Sequence, residues 1–164
     1  MKQTENQEKT KNKLKSEAFR LLTIRDRTAH ELQTRLEKKY RKEDVAEVVS
    51  YLKEIGYIND RQFAQNYVEY RNRFRPTGNF LLRIELRGKG VDDSIIDEVL
   101  NSENTEFELA LRLAEGRAES MKGLDLSKQM RRLFSLLQRR GFPWQIAQKV
   151  VSETLDTDLQ KDYN

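Results

Sequence analysis

The feature that most constrains how this chain can fold is a repeat of itself. The segments LEKKYRKEDVAEVV (36 to 49), LRGKGVDDSIIDEV (86 to 99) and LQRRGFPWQIAQKV (137 to 150) align without gaps, at offsets of 50 and 51 residues. Leu36, Leu86 and Leu137 coincide, as do Tyr40, Gly90 and Gly141, then Val45, Ile95 and Ile146, then Val49, Val99 and Val150. Each copy ends one helix and begins the next. A unit of about 45 to 50 residues has too small a core to be secure alone, so repeats of this size gain stability by stacking on their neighbours. The expected fold is all-α, with three tandem three-helix repeats forming an elongated, curved body whose concave surface is available for binding.

Periodicity and caps set the helices. Apolar residues recur at spacings of three and four through Leu14, Ala18, Leu21 and Leu22, then Leu32, Leu36 and Tyr40, then Val45, Val48, Val49 and Leu52. Thr28 with Glu31 forms a capping-box pattern, and Gly56 fits a left-handed helix end. Further helices are expected near 60 to 74, 78 to 88 and 93 to 101. Thr105 with Glu108 is expected to cap the next, Asp125 to open one ending before Gly141, and Pro143 to lie in the first turn of the last. The first 13 residues hold no apolar side chain after Met1 and read as a disordered polar tail. The divisions are therefore 1–13 tail, 14–56, 57–102 and 103–155 repeats, and 156–164 C-terminal tail.

Composition narrows the chemistry. The chain has no cysteine, which excludes disulfides, thiolate metal sites and thiol nucleophiles. No apolar run approaches the roughly 18 residues of a membrane span, and the N-terminus lacks the apolar core of a signal peptide, so a cytoplasmic protein with no membrane partner is expected. Charged residues are 35% of the chain and the net charge is +4, unevenly distributed. Arg71, Arg73, Arg75, Arg83, Arg87 and Lys89 face Glu85 alone, and Lys128, Arg131, Arg132, Arg139 and Arg140 face only Asp125. Between them, residues 91 to 108 carry seven acids and no base. On a helical wheel of 125 to 140, Lys128, Arg131, Arg132 and Arg139 oppose Leu126, Met130, Leu133 and Leu137. A merely solvated face would interleave acids, so this stripe points to an anionic partner.

Catalytic candidates are few. His30, the one histidine, sits two residues after a helix cap, where an exposed imidazole is ordinary. Arg87-Gly88-Lys89-Gly90 lacks the spacing and hydroxyl of a phosphate-binding loop, and Gly90 reads as a cap. The acids of 91 to 108 show no calcium-loop pattern and read as solvated surface. No catalytic residue, metal or cofactor is expected. Phe63, Tyr67, Tyr70 and Phe74 form an aromatic stripe whose expected use is core packing between helices; the alternative is stacking of Tyr70 or Phe74 on nucleobases beside the neighbouring arginines.

The segments LKEIGYINDRQFAQNYVEYRNRF (52 to 74) and LLRIELRGKGVDDSIIDEVL (81 to 100) closely resemble the central repeat of the RecX family. The shared marks are a Leu-x-x-x-Gly-Tyr turn, a Phe-Ala pair, an Arg-rich helix end and a Lys-Gly-hydrophobic segment. Thr28-Ala29-His30-Glu31-Leu32 fits the first repeat, and Gly141-Phe142 with Ile146 fits the third more loosely; the likeness covers residues 14 to about 155. Tyr40 departs from it, standing where the family usually has Gly. The resemblance implies three three-helix units that bind the RecA filament and restrain its ATP hydrolysis, growth and strand exchange without catalysis. Arg71, Arg73, Arg75, Arg83, Arg87, Lys89, Lys128, Arg131, Arg132, Arg139 and Arg140 are the expected contacts to RecA and, weakly and without sequence preference, to single- or double-stranded DNA. A monomer is expected. The rival readings are a stand-alone DNA-binding helical module and a generic helical scaffold.

Overall fold

A computed structural model describes residues 2–156, with side chains from Gln7 onward. The described residues form nine α-helices and one short 3-10 turn: α1 Lys2–Ile24, α2 Ala29–Leu36, α3 Lys42–Glu54, α4 Asp60–Phe74, α5 Asn79–Gly88, α6 Asp93–Val99, α7 Glu103–Ala118, the turn Glu119–Met121, α8 Leu126–Arg139 and α9 Trp144–Thr154. No strand occurs among them. The fold is the all-α repeat fold expected from the repeating sequence.

Three helix ends share one geometry. Gly56, Gly90 and Gly141 have φ of 76°, 76° and 81°. In each case the following residue donates its N–H back to the helix, Tyr57 to Leu52, Val91 to Leu86 and Phe142 to Leu137, and the glycine donates to the residue three before it. This pairing satisfies carbonyls that a helix end would leave open, and the left-handed backbone it requires costs least at glycine. Tyr40, which aligns with Gly90 and Gly141, follows another course. It has no positive φ, its N–H bonds the Leu36 carbonyl, and its hydroxyl donates to Glu17 at 3.0 Å.

Two expected boundaries move. Helix α1 runs back to Lys2, so most of the segment expected to be a disordered tail is helical. Its Gln, Glu and Lys residues are good helix formers, and Lys11 ties the added turns to Glu47 of α3 at 2.5 Å. Helix α7 starts one turn earlier than expected, because Ser102 accepts the Thr105 N–H and displaces the Thr105–Glu108 pair as the cap. Of the expected C-terminal tail, residues 157–164 lie outside the described residues.

By packing, the chain divides into two compact units, Met1–Asn66 with Leu86–Ile96, and Tyr67–Glu85 with Asp97–Asn164. The first buries Leu14, Leu32, Leu36, Val45, Val48 and Leu52 between α1, α2 and α3. Thr28 is fully buried there. It caps α2 by accepting the Glu31 N–H at 3.1 Å, while Asp60 accepts the Ala29 N–H at 2.9 Å. Glu31 does not complete a capping box; its carboxylate is held by Arg25 and Lys89.

The second unit buries Leu109, Ala114, Leu133, Leu137, Ile146 and Val150 between α7, α8 and α9. Glu106 is also buried, at 4% exposure, so the acidic segment is not all solvated surface as expected. It accepts bonds from the Asn79 backbone N–H at 2.6 Å and side-chain amide at 3.1 Å. Asn79 in turn bonds the Asn101 backbone at both its N–H and its carbonyl. The first turn of α5 is thereby locked to the start of α7, with the Asn79 backbone N–H answered by a carboxylate.

Candidate anion-binding groove

Helix α8 places Arg131 and Arg132, Ser135 and Leu136, and Arg139 and Arg140 on successive turns of one face, and α7 does the same with Arg112 and Leu113, then Gly116 and Arg117. Packing of α7 against α8 brings these faces together. Between them lies an open groove of about 810 Å³, whose rim also includes Arg73 from the end of α4 and Pro76 from the following loop. Seven arginines line it, Leu113, Met121 and Leu136 contribute apolar surface, and no carboxylate does.

Two of the seven are braced by backbone. Arg140 donates to the Pro76 carbonyl at 3.2 Å and Arg112 to the Asn72 carbonyl. Burial, followed by the charges of Arg75 and Arg71, pulls the Arg140 guanidinium below its ordinary pKa, although arginine remains cationic throughout the working range. A neighbouring anion would relieve that repulsion. Planar guanidinium forks suit phosphate or carboxylate oxygens, and a wall of them without acids has the chemistry to accept a polyanion.

The structure separates the eleven cations singled out in the sequence. Arg73, Arg131, Arg132, Arg139 and Arg140 come together in the groove. Arg75 is exposed nearby and acts electrostatically on Arg140. The remaining five have acidic partners. Arg71 is mostly buried and chelates Glu85, through Nε at 2.9 Å and a second contact through Nη2, while Tyr67 donates to the same carboxylate at 3.0 Å. Burial works against the charge of Arg71, but its bond to Glu85 and the further interactions with Tyr67 and Glu85 together outweigh that and raise its pKa. Arg83 pairs with Asp97 at 2.6 Å, and Arg87 is bidentate on Asp93 at 2.6 and 3.0 Å. Lys89 reaches Glu31 at 3.2 Å and Lys128 reaches Asp125 at 2.8 Å. Asp93 and Asp97, from the acidic segment, thus answer the basic one.

Arg112 and Arg117 were not legible as site residues. Glu108, Glu115 and Glu119 surround them in sequence, so α7 reads as a helix of mixed charge. The one mark is Gly116, in mid-helix without positive φ or close neighbour, where its missing side chain leaves the groove open.

The aromatic stripe is also divided. Phe63 and Tyr67 are half-buried, with Lys89 over the Phe63 ring. Tyr70 and Phe74 are 59% and 63% exposed, so core packing does not account for them. His30 is exposed, and its Cβ lies where a side chain at Gly90 would have to go, a second reason for glycine there. Among the described residues no group of three or more His, Asp or Glu is placed to hold a metal, and no helix is long and apolar enough to cross a membrane.

Comparison with known proteins places the whole arrangement. Models of the first, second and third three-helix domains of RecX match residues 15–52, 59–100 and 104–151. The Regulatory protein RecX of Chlorobium limicola is 34% identical over 149 residues, covering 90% of this chain and 93% of the relative. That of Streptomyces coelicolor is 38% identical over 143 residues, covering 85% and 76%. A crystal structure of RecX from Lactobacillus salivarius shares the fold, with a TM-score of 0.80 at 23% identity over 89% of this chain and 96% of that one.

Proposed function

This chain belongs to the RecX family, and on that premise we propose that it regulates homologous recombination by binding the RecA nucleoprotein filament and inhibiting its ATPase, filament growth and strand exchange. Its relatives carry the name of regulatory proteins. The observation that carries the proposal is the groove of seven arginines with no lining carboxylate. A filament assembled on DNA is a polyanion, and a cationic groove of this kind is suited to its phosphates. Arg73, Arg131, Arg132, Arg139 and Arg140 make the main contact, with Arg112 and Arg117 added to them. Inhibition needs no covalent step. A protein that binds one state of the filament better than the other holds the nucleotide cycle in that state, to the extent of its differential affinity. The protein acts in the cytoplasm as a monomer.

The test is to add the purified protein to RecA with single-stranded DNA and ATP and to follow hydrolysis and strand exchange. Both rates are expected to fall; unchanged rates at saturating protein reject the proposal. The same groove supports a second reading, a stand-alone DNA-binding module with no recombinase partner. In that case duplex binding without RecA has a log-log salt slope of about −0.9 per neutralised phosphate, and RecA activity is unaffected.

A further inference from the structure

Helix α4 buries Ala64 and Val68 on one side and leaves Tyr70 and Phe74, four residues apart, exposed on another. The two rings are 5.1 Å apart, inclined at 45°. The upstream members of the stripe have uses within the protein: Tyr67 bonds Glu85, and Phe63 lies under Lys89. Tyr70 and Phe74 pack against each other and stay largely exposed. What connects them to the groove is Arg73, whose guanidinium lies 5.1 Å from the centre of the Phe74 ring while also lining the groove. An aromatic pair and a channel of guanidinium groups thus share a cation.

We propose that Tyr70 and Phe74 are a base-stacking platform at the mouth of the arginine groove, so that the site takes unpaired nucleic acid, holding its bases on the rings and its phosphates on the arginines. The inference rests on the reading of the groove as a polyanion site and adds to it a choice of strand. Phosphates alone cannot make that choice, because single strands and duplexes both carry them. Base faces can, since in a duplex they are already stacked on each other and are not presented to a protein side chain. Every base has a π-face, so such a platform is tolerant of sequence. Charge complementarity favours this occupant over an apolar protein surface, which would have to lie against a wall of arginines with no acid of the protein to offset them.

The full-length protein, without RecA, is titrated by fluorescence anisotropy against three labelled ligands: oligothymidylate of about 15 nucleotides, an abasic strand of equal length, and a duplex. The wild type is expected to prefer oligothymidylate to the abasic strand by roughly tenfold or more for each base engaged. The double variant Tyr70→Ala, Phe74→Ala is expected to bind oligothymidylate no better than the wild type binds the abasic strand. It keeps the wild-type affinity for the abasic strand, which also shows that it is folded. Equal affinity of the wild type for the two strands overturns the inference without reference to any variant, as does a lack of binding to oligothymidylate. A double variant that keeps full oligothymidylate affinity but no longer slows RecA overturns it too, and assigns the pair to a protein partner. The proposal that the protein regulates RecA stands or falls separately, on ATP hydrolysis by RecA.

Discussion

Thr28 and Lys89 are 61 residues apart in sequence, and the Thr28 hydroxyl donates to the Lys89 carbonyl at 2.5 Å. The residues that align with them repeat the contact. Gly78, at the start of α5, donates its N–H to the Arg140 carbonyl at 2.8 Å. In both places the second helix of one repeat, at its first turn, meets the second helix of the next repeat just before the left-handed glycine that ends it. The joint is conserved in geometry and changed in chemistry, a hydroxyl in one case and a backbone amide in the other.

Thr28 therefore has two tasks, capping α2 and closing the joint. Thr28→Val keeps the shape and removes both bonds in a site with no access to water. It is expected to destabilise the protein by about 1–3 kcal/mol, read as a lower urea midpoint, with Thr28→Ser costing less because the hydroxyl remains. Equal midpoints for the valine and serine variants would remove the joint from the stability of the fold.

A side chain at Gly78 would fall well inside contact distance of the Gly141 carbonyl and the Phe142 nitrogen, both backbone atoms that cannot swing aside. Gly78→Ala is expected to cost about 3 kcal/mol or more by urea denaturation. At Gly116, inside α7, a Cβ meets nothing within 4 Å. There alanine is expected to stabilise by about 1 kcal/mol, from helix propensity. A similar response at the two glycines would contradict the packing described here.

Groove arginines and ion-paired arginines differ in what they can offer a ligand. Arg139→Gln is expected to weaken binding to single-stranded DNA and to lower the magnitude of the log-log salt slope by about 1. Arg87→Gln removes a charge already matched by Asp93 and is expected to leave the slope near that of the wild type. The two variants have the same change in net charge, so equal slopes would show that total charge, not the groove, governs binding.

Glu31 and Glu106 impose opposite pH dependences. Burial raises the pKa of Glu31, but the bonds and the charges of Arg25 and Lys89 together outweigh it and bring the carboxyl below its ordinary 4.5. Its folded form thus releases a proton more readily than the unfolded chain, so its stabilisation is present above 4.5 and is lost as pH falls through the folded value. For Glu106, burial outweighs the bond from Asn79 and raises the pKa above 4.5. Its contribution is full below 4.5 and is lost as pH rises through the folded value. On acidification the stability gap between wild type and Glu31→Gln should narrow, while the wild type should gain relative to Glu106→Gln. Denaturant midpoints across the acid range decide this, and gaps that change in the same direction would refute the assignment.

What could be read from the sequence is what local physics governs. Spacing of apolar residues set the helices, Thr28 and Asp125 acted as caps at the positions expected, and Gly56, Gly90 and Gly141 all turned left-handed, because each of these depends on residues within about one helical turn. The repeat itself was visible because equivalent positions bury equivalent side chains. Tertiary structure decided which charges are cancelled. Arg71 and Glu85 are 14 residues apart, Arg83 is as far from Asp97, and no periodicity within one helix joins them. The groove followed the same rule: Arg112 and Arg117 sit among acids in sequence and join Arg131 and Arg139 only because α7 packs on α8. A charge's neighbours in space determine whether it is answered, and a linear reading can count cations without knowing which of them packing leaves unpaired.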